Sequence, residues 1–170
     1  MEIELDRVRE DATFSAKGHF NASMRWGQAN YILGVPAAVL SAIAGVSALS
    51  QFNHHNTVAG VLAIIVAAIT GISTFLNPSE RAANHYTFGN RFNSLKNRCR
   101  LVVEIDGPTM ASSSLRARLA ELCAERDELN ASAPQIPSWA YSRARKGIGD
   151  GESDYSADSR DQAVELSSDR

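Results

Sequence analysis

The chain has 170 residues, 17 Lys+Arg against 19 Asp+Glu, a formal net charge of −2 and 21% charged residues. With a mean hydropathy of −0.19, these averages describe an ordinary soluble domain. Its two cysteines, Cys99 and Cys123, are 24 residues apart and argue against a metal site. The averages mislead, because they blend a very apolar stretch with a polar remainder.

Residues 1–30 carry a helical pattern, with Ile3, Val8, Ala12, Phe20 and Trp26 among polar and charged positions. They predict an N-terminal cytoplasmic amphipathic helix. No strong breaker follows, so one helix can run on into the next segment. Residues 31–49 and 57–76 are apolar runs without a single charged residue. Each is about 20 residues long, which at about 1.5 Å per residue matches a hydrocarbon core of about 30 Å. The joining residues 50–56 (Ser-Gln-Phe-Asn-His-His-Asn) are too few for a domain, so the two runs must form an antiparallel transmembrane hairpin. A helix apolar all round has no side to show to water, which argues against two core helices of a soluble protein. A cleaved signal peptide fits poorly too, since the first run starts only at Tyr31 and a second full span follows.

The flanks set the orientation. The loop 50–56 has no Lys or Arg, only His54 and His55, whereas Arg7, Arg9, Lys17 and Arg25 precede the first span and Arg81, Arg91, Lys96, Arg98 and Arg100 follow the second. Positive charge stays on the cytoplasmic side. Both termini are therefore expected in the cytoplasm, with 50–56 as an extracytoplasmic loop, Trp26 and Tyr31 at the membrane interface, and both cysteines as reduced thiols.

Each span divides into a bulky and a small side. In the second, Ala59, Ala63, Ala67, Thr70, Gly71, Thr74 and Asn77 fall together, opposite Val58, Val61, Leu62, Ile65, Ile69, Ile72 and Leu76. In the first, Gly34, Ala38, Ser41, Gly45 and Ala48 oppose Ile32, Val35, Val39, Leu40 and Ile43. Small residues at four-residue spacing let backbones approach closely. They either pack the hairpin on itself or join subunits; two such long stripes exceed what a lone hairpin needs. The expected assembly is a homo-oligomer, such as a tetramer, with Ser41, Gly45, Ala63, Ala67, Thr70, Gly71, Ser73 and Thr74 as pore-lining or subunit-packing residues. Phe75 and Leu76 form a candidate apolar gate, and Pro36 a candidate hinge.

After the spans, residues 77–148 read as a cytoplasmic helical region. Asn77-Pro78-Ser79-Glu80 is a helix start, with Asn capping, Pro at the first position and Glu able to complete a capping box. That helix runs to Ile105 and stops at Gly107-Pro108. A second helix, 112–130, carries a stripe of Leu115, Leu119, Leu122 and Leu129 that needs a partner, in the same chain or a neighbouring subunit. A rigid Ala133-Pro134-Gln135-Ile136-Pro137 linker leads to a short helix, 139–148, with Ser138 as its cap. From 149 to 170 the chain is acidic and nearly without apolar side chains, and reads as a disordered tail.

No Gly-rich phosphate loop, paired carboxylates in an apolar setting or nucleophile motif is present, so an enzyme is not expected, nor a cofactor or metal. The basic residues Arg91, Lys96, Arg98, Arg100, Arg143, Arg145 and Lys146 either fix topology and attract anionic lipid or form a candidate nucleotide-binding collar, whose affinity would fall with salt. His19 and His85 are read as packing or interfacial residues.

The layout of an N-terminal helix, a two-span hairpin, a basic helix opening Asn77-Pro78-Ser79-Glu80-Arg81-Ala82-Ala83-Asn84-His85, and Ala133-Pro134-Gln135-Ile136-Pro137 before a last helix resembles the SLATT family, the SMODS and SLOG-associating two-transmembrane effectors. The resemblance covers roughly residues 5–148, with His19, His85, Phe92 and Leu95 at its recurrent helix positions. It implies a bacterial anti-phage effector that opens the inner membrane when a partner nucleotidyltransferase makes, or ceases to make, a nucleotide or oligonucleotide signal. The expected fold is an all-α membrane protein with a cytoplasmic helical collar. A ligand-independent, holin-like disruptor and a membrane scaffold for a cytosolic partner remain as alternatives.

Overall fold

A computed structural model describes residues 2–50, 54–107 and 109–155. Among them there is no strand. Five α-helices follow in order: α1 Glu2–Leu49, α2 His55–Leu76, α3 Pro78–Leu101, α4 Ser112–Ser132 and α5 Ser138–Gly149, with a π-helical turn, Val102–Asp106, continuing α3. The chain forms two compact units, one of Met1–Asn21 with Phe88–Arg170 and one of Ala22–Thr87.

The second unit is the hairpin. α1 carries Pro36 inside an unbroken helix, and α1 and α2 are both long and apolar enough to cross a membrane. Of the expected loop 50–56, residues 51–53 lie outside the described residues; α2 begins two residues earlier than the apolar run, with His54 before it in the left-handed region (φ 67°). That region is sparsely used by non-glycine residues, His and Asn among the better suited.

Asn77 carries the turn between α2 and α3. It takes the left-handed conformation (φ 43°, ψ 56°), and its N–H donates to the Ser73 carbonyl at 2.9 Å, closing α2 as a C-terminal cap does. Its side-chain amide meets the Glu80 carboxylate and its carbonyl accepts the Arg81 N–H at 3.2 Å. Pro78, buried, opens α3 at the position where a missing N–H costs nothing. The capping residues are those the sequence indicates, although Asn77 reaches Glu80 side chain to side chain. Ser23 Oγ donates to the Ala82 carbonyl at 2.8 Å, and the Arg81 guanidinium lies 5.0 Å from the Trp26 ring centroid, tying α1 to the start of α3 beside the spans.

The first unit is a helical bundle. α1 contributes Leu5, Val8, Ala12 and Ala16, α3 contributes Phe92, Leu95 and Cys99 with Val102 beyond it, and α4 contributes Leu115, Leu122 and Leu129. Steps of three, four and seven residues put each set on one helix face. The α4 stripe thus finds its partner in its own chain. α5 docks through Ala140, Ala144 and Gly147, with Asn21 Nδ2 donating to the Ala140 carbonyl at 3.2 Å and Phe14 facing Tyr141 at 6.1 Å. Ser138 is the first residue of α5 and not its cap, a role Pro137 fills without a side-chain hydrogen bond.

Of the tail expected to be disordered, 149–170, the structure describes residues up to 155. Residues 150–155 turn back against the bundle, because Gly151 adopts a positive φ (79°) and Glu152 finds Lys17 at 2.7 Å. Residues 156–170 of that expected tail lie outside the described residues.

Candidate functional site

The two spans meet along a seam that the sequence reading does not anticipate. Within the apolar runs 31–49 and 57–76, the half-buried or buried residues are Leu33, Ala37, Leu40, Ala44 and Ser47 of α1 and Ala59, Leu62, Val66, Ile69, Ser73 and Leu76 of α2. Both sets alternate steps of three and four, the spacing of knobs-into-holes packing. Leu40, Leu62, Ile69 and Leu76, assigned to the lipid side by size, sit in this seam. The reason is steric: in a lipid-like setting association comes from interlocking shape, and leucines beside alanines interlock as well as small residues do.

The small stripes, Ala59 apart, are left outside it. Gly34, Ala38, Ser41, Gly45 and Ala48 of α1 are exposed, as are Ala63, Ala67, Thr70, Gly71 and Thr74 of α2. A β-carbon placed on Gly34, Gly45, Gly60 or Gly71 would meet nothing within 4 Å, so none of these glycines serves a close approach inside the chain. Ser41 Oγ donates to the Ala37 carbonyl of its own helix at 2.7 Å, the usual way a hydroxyl is satisfied in an apolar helix. Ser73 is half-buried in the seam, unlike the other candidate pore residues. The candidate gate splits as well, Leu76 entering the seam while Phe75 is 87% exposed.

The basic residues do not converge on one place. Arg91 pairs with Glu128 at 3.6 Å and lies over the Phe88 ring, Arg98 pairs with Glu125, and Arg100 stands 3.8 Å from Glu104. Lys96 and Arg100 line one cavity, Arg145 another beside Asp11 and Tyr141, and Arg143 and Lys146 are exposed on α5. Missed by the sequence reading were Lys17, Glu152 and Tyr155, whose only signal is one aromatic ring in an otherwise polar tail.

His19 and His85 are both buried. His19 stacks on Phe92 (5.5 Å, 15°) and Phe88 (5.9 Å, 30°). His85 is 5% exposed, and burial followed by the Arg81 charge lowers its pKa below the usual 6.5. Burial pushes the Cys99 thiol up to about 11, in keeping with a free, reduced cysteine.

The hairpin unit carries two helices long and apolar enough to cross a membrane, the layout of a two-span membrane protein. The sequence profile of SMODS and SLOG-associating 2TM effector domain family 4 matches residues 2–160, and the chain belongs to that family. Neither a curated protein nor a solved structure matches it.

Proposed function

We propose that the chain is a bacterial anti-phage effector whose copies associate in the inner membrane through the exposed small-residue faces of α1 and α2, forming a pore that a nucleotide or oligonucleotide signal controls. One observation supports this above others. The hairpin completes its own seam with larger side chains and leaves two glycine- and alanine-rich faces, at four-residue spacing, without a partner among the described residues. Lipid gains nothing from such faces, whereas a second helix gains close backbone approach. Thr70 and Thr74 lie on one of them and would give the lumen its hydroxyls, while Phe75, at 87% exposure, is the better placed of the two gate residues. The lysines and arginines flanking the spans favour both termini in the cytoplasm, where the bundle can receive a signal from a partner nucleotidyltransferase.

The test is ion flux from liposomes holding the purified chain, with and without candidate nucleotides. A nucleotide-dependent flux that Thr70→Leu or Thr74→Leu abolishes is expected. Unchanged flux in both variants removes this face as the lumen. Depolarisation of cells on induction of the chain alone marks the ligand-independent disruptor, and no conductance under any condition marks the scaffold.

A further inference from the structure

The contact made by residues 150–155 has no part in the pore reading. After α5 the Gly151 N–H donates to the Ile148 carbonyl at 3.1 Å and the Glu152 N–H to the Gly147 carbonyl at 2.9 Å. With Gly151 left-handed (φ 79°), this is a Schellman-like ending that reverses the chain. Glu152 then meets Lys17 at 2.7 Å. A β-carbon on Gly147 would meet the Glu152 carboxylate and stand 2.9 Å from Lys17 Nζ, so the ion pair packs directly over this glycine. Beyond it, Tyr155 is gripped by two cations. Lys96 Nζ donates to its hydroxyl at 2.9 Å and lies 4.9 Å from the ring centroid, as does the Arg100 guanidinium.

Beneath this ring is a cavity of about 380 Å³ between the start of α1 and the end of α3, within the ~300–1,000 Å³ of small-molecule sites. Phe14 gives it an apolar wall and Glu10 a carboxylate. Arg9 is held by Asp6 at 3.0 Å and stands 3.8 Å from Glu104. Arg100 Nε is buried and has no hydrogen-bond partner among the described residues, since Glu104 at 3.8 Å is out of range. The lining sets four carboxylates, of Asp6, Glu10, Glu104 and Asp154, against the cations Arg9, Lys96 and Arg100, which disfavours a polyanion. Two cations facing one ring favour an aromatic group carrying a single anionic substituent, and the carboxylates can accept from its hydroxyl or amino groups.

We propose that residues 152–155 are a tethered cap on this cavity, and that the cavity, uncapped, binds a small aromatic anion with one phosphate or carboxylate, Tyr155 being its internal competitor. This deepens the ligand-controlled reading above and rests on it for its physiological consequence: the tail holds the site closed until the ligand displaces it.

The full chain in detergent, titrated calorimetrically with adenosine 5′-monophosphate and with inorganic phosphate, tests the proposal. Because a closed site lowers apparent affinity by the fraction open, Tyr155→Ala should bind the nucleotide about tenfold more tightly than the wild type. Adding Arg100→Gln to it should abolish that binding, and phosphate should bind neither protein. Adding the nucleotide to the wild type should also speed hydrogen exchange at residues 152–155. Equal affinity in wild type and Tyr155→Ala, no binding by either, phosphate competing as well as the nucleotide, or unchanged exchange overturns the proposal. Nucleotide binding with cap release but no response in liposome flux would sink the gating reading and leave the cap standing. Nucleotide-dependent flux with Tyr155→Ala binding as the wild type does would do the reverse.

Discussion

The two halves of α1 answer to different solvents. Leu5, Val8 and Ala12 are wholly buried in the bundle, whereas Ile32, Val35, Ile43 and Val46 of the same helix are 70%, 57%, 47% and 67% exposed. In the first half, apolar residues concentrate on one face and most are covered by protein, with Ile3 and Met24 left exposed. In the second they occur all round and most are covered by nothing among the described residues. The contrast teaches that apolar content does not decide where packing is tight; the supply of polar neighbours does, because only they compel a single face to turn inward.

The sharpest way to break this contrast is to truncate one apolar side chain in each half of the molecule. Phe92→Ala or Leu122→Ala, both within 1% of full burial, should cost about 3–5 and 2–5 kcal/mol respectively by opening a cavity, read from denaturant melts of the bundle in detergent. Val35→Ala or Ile43→Ala should cost under about 1 kcal/mol in the same assay. Equal losses at both sites would show that the exposed side of α1 is packed after all.

Cysteine chemistry comes next. With its thiol held at about 11 against a reference of 9.0, Cys99 should carry about a hundredfold less thiolate at pH 8 than an unshifted thiol, and should resist iodoacetamide until the bundle unfolds. Half-buried Cys123 should react first. Gly45→Leu and Gly71→Leu sharpen the contrast from the lipid side: each side chain enters open space in the single chain, so thermal stability should shift by less than about 0.5 kcal/mol, while cross-linking between copies should fall away.

The smallest effect concerns His85. Its folded pKa lies below the unfolded 6.5, so the folded state resists the proton. Its stabilising contribution is complete above pH 6.5 and declines as pH falls through that value toward the folded pKa. Melting curves between pH 7.5 and 5 should show this decline, and His85→Gln should flatten it.

Much of the architecture was legible in the residues. The charge-free runs marked both spans, Asn77-Pro78 marked the turn between α2 and α3, and the leucine stripe of α4 announced a buried face. The seam of the hairpin was not legible, because Leu40 or Ile69 reads equally well against lipid or against another helix. Docking of α5 through Ala140, Ala144 and Gly147 left no apolar signal, since the absence of side chains is what permits it. The docked start of the tail was hidden for a related reason: composition counts residues, and here one ring and one carboxylate suffice. Of the candidate ligand site, Lys96 and Arg100 were visible as charges, but their separation from Arg91 and Arg98 depended on which of them α4 neutralises.

That last partnership has a consequence for how α4 finds its seat. Leu115, Leu122 and Leu129 are identical knobs at equal intervals, so sliding the helix by two turns would drop two of the three leucines into sockets shaped for their twins. Adhesion alone therefore supplies no address. The contacts of Glu125 with Arg98, Glu128 with Arg91 and Arg126 with Asp11 are individually weak, as solvent-facing pairs are, yet only one setting of the helix satisfies all three. They work as the teeth of a key, whose value lies in excluding the wrong positions.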